Sequence, residues 1–477
     1  MYIPTIMPPA RGVRESSIGY RNCVVVSPDD DLPTAYSWLK STDRNGSMGA
    51  LAADNRRVLI LAPGKHTLSS QFELDTDYVD LVALCPAPGG DRQSSDVEWT
   101  GAVDTAAVSE GGYRPPPTLI SGSLSGTSIL LGSLVKQSAS DVRLVGFGIV
   151  NRHDPGTTDI DTNTESDIYA SAFTITTADN SKSSYYMMYF WMTGAGVWHT
   201  SPNMWTRMAV YSTGDFKGIW EHCNANGFAY RCAANYDFAA TMIDCVGGPF
   251  SWAGDEANVE MKNCQLYRCK GVGYFNTAYE DAGGTVLVRS GYACFGACRS
   301  YGCNIDATAY FYECEAGDRS YGLGKTVAGN FYRCKGGNDC FGGFSLTSNY
   351  PTFSGYAEDC LGYQYSFAAG NSNNTCSGEF VNCRFIDQAE NWFLTGAVLR
   401  RCFSQVKSGI TRANIALLDG NSKIYDCEFY TPLASTCIWA AAAQNVVAAH
   451  NRMNQGYHAN VTNLIGTSYD VIDTDIA

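Results

Sequence analysis

Two carboxylates, Glu313 and Asp359, each stand one residue before a cysteine, at Cys314 and Cys360, and the same cysteine-led motif recurs along the chain. If each recurrence is one turn of a stacked structure, the two acids share a column two turns apart, about 9–10 Å along the axis. An inverting glycosidase separates its acid and base by roughly 6.5–9.5 Å, so the spacing suits sugar hydrolysis, with Glu358 as a fallback carboxylate. The neighbouring signs favour another reading. Arg289, Glu313, Arg333 and Asp359 alternate in charge up that column. A cation beside a carboxyl lowers its pKa, whereas a general acid needs it raised. A structural charge ladder is therefore the expectation.

The positions beside the acids carry aromatic rings. Tyr310 and Tyr356 lie four residues before their cysteines, and Tyr312 and Tyr332 lie two before. Alternation along a strand sends all four outward, as one patch across about three turns. Exposed rings with polar tips suit sugar stacking or a protein interface. A third candidate is the loop NRHDPGTTDIDTNTESD, where Asp159, Asp161, Asn163, Glu165 and Asp167 alternate as hard oxygen donors of the kind calcium takes. Thr164 occupies the position at which a helix–loop–helix calcium site needs glycine, so the loop reads as a solvated acidic segment. No cofactor or metal is expected, and none of the six histidines is assigned as a ligand.

The elements that must position these groups follow from the cysteines. Read in one register, the column is Cys223, Cys245, Cys264, Ser290, Cys314, Cys334, Cys360, Cys383, Cys402 and Cys427, at intervals of 19 to 26 residues. Such variation suits solenoid coils with loops of differing length. Three positions earlier stand apolar residues, among them Trp220, Met242, Met261, Leu287, Phe311 and Phe331. Five positions earlier none is larger than valine. Both positions therefore face inward, and strict alternation would turn the cysteine out. A bend at the intervening residue resolves the conflict. That position holds His222, Asp244, Asn263, Arg289, Glu313, Arg333, Asp359, Asn382, Arg401 and Asp426, all polar, with Asn and Asp at ease in a left-handed conformation.

Upstream, residues 1–26 lack periodicity and read as an amino-terminal arm. In SPDDDLPTAYSWLKS, Leu32, Ala35, Tyr36 and Leu39 make one helical face near 31–41, placed to cap an open solenoid end. Loop excursions are expected near 86–117 and 151–170, both inside a β-helix domain spanning 27–477. The order of capping helix, RVLILAPGKHTL and further short strands resembles the start of pectin-lyase-like right-handed parallel β-helix proteins. The small-x-apolar-x-polar-Cys coils from 218 to 427 resemble the same superfamily, over about 400 residues in all. The resemblance implies an all-β, single-stranded right-handed parallel β-helix, closest in character to bacteriophage spike or decoration proteins. It implies little about chemistry. A polygalacturonase-like site would need a Gly-His-Gly that the chain lacks, and no pectate-lyase-like set of calcium ligands with a basic partner is evident.

The formal charge of −14 and the lack of any Lys/Arg block argue against a nucleic-acid partner. No apolar run is long enough to span a membrane, and MYIPTIMPPARGVRESS has no signal-peptide pattern. Nineteen cysteines, an odd total of which nine stand in one continuous column, read as buried reduced thiols used as small hydrophobes, made in a reducing cytoplasm. The expected function is a structural or recognition protein of a virion, a capsid decoration or tail spike. Its partners would be other virion proteins or a surface polysaccharide, with a homotrimer left open. The alternative is a polysaccharide lyase or glycoside hydrolase on the same sheet.

Overall fold

The computed structural model of the chain describes residues between 22 and 472, apart from 42–48, 87–115, 153–169, 193–206, 254–263, 272–289 and a number of shorter stretches. Most of the expected arm, most of both expected excursions, and Asp159, Asp161 and Asn163 lie outside the described residues.

Every named strand pairs in parallel with its equivalent in the next coil, and the coils stack into three faces. Face one is a single 17-stranded sheet running from Cys23–Val26 to Val461–Ile465. Face two has nine strands from Gly64–Leu68 to Glu315–Ala316, then six from Leu361–Gly362 to Val471–Ile472. Lys335 bridges the two groups, pairing with Glu315 on one side and Leu361 on the other. Face three comprises two six-stranded sheets, Phe72–Leu74 to Trp252–Ala253 and Thr326–Val327 to Ile438–Ala440. This is a right-handed parallel β-helix, as expected for parallel strands joined by crossovers.

The bend between faces one and two forms as the polar residues require. His222, Asp244, Glu313, Arg333, Asp359, Asn382, Arg401 and Asp426 all adopt φ between 52° and 55°. One part of the register is corrected. The corners of the two intermediate coils are Arg268 and Ala293, not Asn263 and Arg289, so Cys269 and Cys294 occupy the column in place of Cys264 and Ser290. The motif is degenerate here. Cys264-x-Leu266-x-Arg268-Cys269 satisfies the same small-x-apolar-x-polar-Cys rule as the frame five residues earlier. In the next coil Gly291 stands at the inward apolar position, where the rule expects a large side chain. Phe311 of the following coil fills the space, 3.2 Å from where a Cβ on Gly291 would lie.

Inside, face one stacks aromatic rings coil on coil. Tyr185 lies 3.7 Å from Trp220 at 20°, and Phe311 lies 5.2 Å from Phe331 at 4°. Beside them the thiols do more than fill volume. Several reach the backbone carbonyl three positions before the column residue of the preceding coil: Cys245 donates to Trp220 O at 3.3 Å, Cys269 to Met242 O at 3.4 Å, Cys294 to Leu266 O at 3.3 Å and Cys383 to Ala357 O at 3.3 Å. A sulfur can also accept, and the amide of Cys402 donates to Cys427 Sγ at 3.4 Å. After Cys427 the column ends in Asn451, which makes both bonds with an amide: its Oδ1 accepts from Cys427 N at 3.0 Å and its Nδ2 donates to Ile424 O at 3.1 Å. The thiol is thus a bifunctional bridge between coils as well as a small hydrophobe. Every cysteine among the described residues is free. Burial pushes the thiols of Cys223, Cys269, Cys314, Cys360 and Cys427 well above the ordinary value.

At the amino-terminal end of the stack stands a helix, Leu32–Lys40, with Asp31 as N-cap accepting from Thr34 N at 3.1 Å and Pro33 in its first turn. Leu32, Tyr36 and Leu39 are buried, and Tyr36 meets Phe72 of face three edge-on at 5.3 Å. The fully buried guanidinium of Arg57 donates to Leu39 O at 2.6 Å, Ser41 O at 2.8 Å and Gly49 O at 3.0 Å, satisfying carbonyls that a helix end leaves open.

Two outcomes are expected. Asn451→Ala strands the Cys427 amide and the Ile424 carbonyl, and should lower the unfolding free energy by about 1–3 kcal/mol in denaturant titrations, whereas Asn451→Cys should restore most of it. Thiols raised in the fold contribute fully below the ordinary value of 9.0 and lose that contribution as pH climbs above it. Melting temperature should therefore decline above that pH, and in a variant with Cys23 and Cys85 replaced by serine the thiolate absorbance of the buried column should appear only on unfolding. Column thiolate forming in that native variant at the ordinary value would sink the bridge account.

Candidate functional site

The outward side of face one follows from the corner. Because the corner residue is left-handed, the residues one and three positions before it alternate with the inward column and point away from the core. Register then defines two outward columns. The nearer one runs Ile243, Tyr267, Tyr292, Tyr312, Tyr332, Glu358, Val381 and Arg400 in successive coils. The farther one runs Gln265, Ser290, Tyr310, Asn330, Tyr356 and Glu379.

Four consecutive coils thus place tyrosine at one register position. Sequence reasoning reached only Tyr312 and Tyr332 of these, because its frame was five residues out in one of the two coils before them and four in the other. The signal was present: Tyr267 and Tyr292 stand two residues before Cys269 and Cys294, as Tyr312 and Tyr332 stand before theirs. The four tyrosines expected to form a patch do come together. Tyr310 is 48% exposed, Tyr312, Tyr332 and Tyr356 are half-buried, and the Tyr332 and Tyr356 rings lie 5.6 Å apart at 45°. Tyr267, at the foot of the column, is only 7% exposed.

Polar groups frame the rings. Tyr356 Oη donates to Glu358 Oε2 at 2.9 Å, and burial together with that carboxylate pushes the phenol well above the usual tyrosine range. Tyr332 is raised by burial and by its neighbours Tyr310 and Glu358. The Arg333 guanidinium lies 5.3 Å from the centre of the Tyr312 ring, within cation–π reach. Asn330 Nδ2 donates to Ala307 O at 3.1 Å.

Glu313 and Asp359 occupy the corner column with Arg333 between them. Arg333 Nη1 donates to Glu313 Oε1 at 3.0 Å, and Asp359 adds to the field that holds the guanidinium charged. One coil set earlier, Arg268 grips Asp244 through two bonds of 2.7 and 2.6 Å. Ala293 stands between these pairs where Arg289 was expected, so the ladder is two separate ion-paired sections. Glu358 belongs to the tyrosine column instead. It shares this surface with Glu379, one coil on and two residues across, which pairs with Arg400 at 3.5 Å. Among the described residues no group of three or more His, Cys, Asp or Glu side chains could hold a metal ion. The surface can stack flat apolar faces on its rings while carboxylates, phenols and guanidinia exchange hydrogen bonds with hydroxyl groups.

No family model and no curated protein matches the chain. Among solved structures it is similar to the pectin methylesterase PemA from Erwinia chrysanthemi, at 10% identity and TM-score 0.31 over 68% of this chain and 91% of that one. It is also similar to a DFA-IIIase from Arthrobacter chlorophenolicus A6, at 11% identity and TM-score 0.33 over 95% and 98%. ORF18 of Geobacillus virus E2 matches at 10% identity and TM-score 0.18 over 93% and 59%. TM-scores this low assign no function, and the fold rests on the strand pairing itself.

Both partners of the Arg333–Glu313 pair are well exposed, and such pairs contribute little. Arg333→Ala should leave the melting temperature unchanged within error. A large loss of stability would show the ladder to be structural cement.

Proposed function

We propose that this chain is a recognition β-helix that holds carbohydrate on the outward side of face one. The observation that carries the reading is the group of four part-exposed tyrosines, Tyr310, Tyr312, Tyr332 and Tyr356, on adjacent strands of a rigid sheet. Rings held by a stacked backbone lose little freedom on binding, which favours stacking on the apolar face of a sugar. The bordering acids and cations can orient its hydroxyls. In its finer form the proposal makes the protein a component of a virus particle, synthesised among reduced thiols in a cytoplasm and displayed outward. Its detection in purified particles by mass spectrometry tests that form separately.

Three of the acids near the rings already have partners: Glu313 with Arg333, Glu379 with Arg400 and Glu358 with Tyr356. That arrangement suits holding a sugar more than cleaving it. Titration against immobilised glycans should give binding that Tyr312→Ala and Tyr332→Ala weaken without changing the circular dichroism. Reducing ends and unsaturated products should stay at background in the same incubations. Their release, abolished by Glu358→Gln, Glu313→Gln or Asp359→Asn, would replace recognition by hydrolysis or elimination.

A further inference from the structure

The tyrosine column has a direction and a period. Parallel coils repeat about every 4.8 Å along the axis, close to the advance of one pyranose in an extended chain. Tyr312 and Tyr332 hold one register position in consecutive coils, and Tyr356 continues the row at the neighbouring position of the next. A sugar chain laid along the helix axis would meet about one ring per residue, while a chain laid across the strands would meet one or two rings in all.

The charges beside the row narrow the ligand further. Arg333, Lys335 and Arg400 each face a carboxylate already, Glu313 at 3.0 Å, Glu315 at 2.6 Å and Glu379 at 3.5 Å. Glu358 adds a further acid beside the rings, and the chain as a whole carries −14. A polyanion approaching the rings of Tyr312, Tyr332 and Tyr356 meets acids, and these three cations are already paired.

Resting on the carbohydrate reading, we infer that the ligand is a neutral, extended polysaccharide that runs along the helix axis with about one sugar residue per coil. The rings set its direction and the coil repeat sets its register. Glu358 and Asn330 beside the row present carboxylate and amide oxygens as acceptors to its hydroxyls.

The test is a length series measured by calorimetry on the full chain at two salt concentrations. The probes are neutral β-1,4-linked gluco- and manno-oligosaccharides, maltooligosaccharides as neutral chains that coil, and oligogalacturonates as acidic ones. Affinity should rise with each added sugar of the extended neutral chains, level off once the row is spanned, and change little with salt. Tyr332→Ala should cost roughly fivefold and move the plateau to shorter chains, whereas Tyr332→Phe, which keeps the ring, should retain most of the affinity. Melting curves confirm that both variants fold. Extended neutral chains that bind without length dependence would overturn the axial row and leave the carbohydrate reading standing. Preference for oligogalacturonates with strong salt dependence would overturn neutrality alone, and preference for the coiling chains would overturn the extended form. Absence of binding to every probe would remove this inference together with the reading it rests on.

Discussion

The left-handed corner between faces one and two is the constraint on which the rest depends. One residue with φ near 53° turns the strand and reverses which side the next residue faces. It brings a small polarisable side chain inward, directly above its equivalent in the neighbouring coil. A left-handed conformation costs a non-glycine residue about 1–2 kcal/mol, so repeating it in coil after coil needs a compensating interaction. The corner amide supplies part, donating to the next coil, as His222 does to Ile243 O and Glu313 to Tyr332 O, both at 2.9 Å. The thiol supplies the rest by bonding back to a carbonyl of the preceding coil. Asn451 makes the logic explicit, since an amide there forms the same two contacts that sulfur forms elsewhere.

The outer surface inherits its geometry from that inner column. Strands held in exact register by corner and thiol cannot slip, so side chains two and four places before each cysteine line up over many coils. The tyrosine row and the ion-paired corner residues are then two neighbouring readouts of one backbone repeat. Their chemistry differs because the corner position selects polar residues able to adopt positive φ, while the outward strand positions are free to vary. Function can thus be written on the outside without disturbing the core.

Much of this was legible in the sequence because burial and bending leave separate marks. The polar residue before each cysteine announced the corner, and Leu32, Tyr36 and Leu39 announced the helix that packs at the first coils. Two coils were misread for a physical reason. Inward positions tolerate exchange of volume between neighbours, so Gly291 can stand where a large residue is expected provided Phe311 swings into its space. A rule applied coil by coil cannot see such compensation. The error propagated outward: it put Arg289 into the charge ladder and kept Tyr267 and Tyr292 out of the aromatic column. The pairing of Glu358 with Tyr356 and of Glu379 with Arg400 was illegible for a different reason, since both depend on which coils are neighbours in space.

The fit of Phe311 against Gly291 also bears on how such a chain can change over generations. Repeats invite duplication, deletion and exchange of whole coils, and a uniform core would permit it. Here, removing the coil of Gly291 would set Phe311 against Leu266, and copying it would stack glycine on glycine over a void. The coils resemble one another as links in a chain do, yet each is cut to its neighbour. Variation is consequently steered away from the number and order of coils and toward the residues that face out.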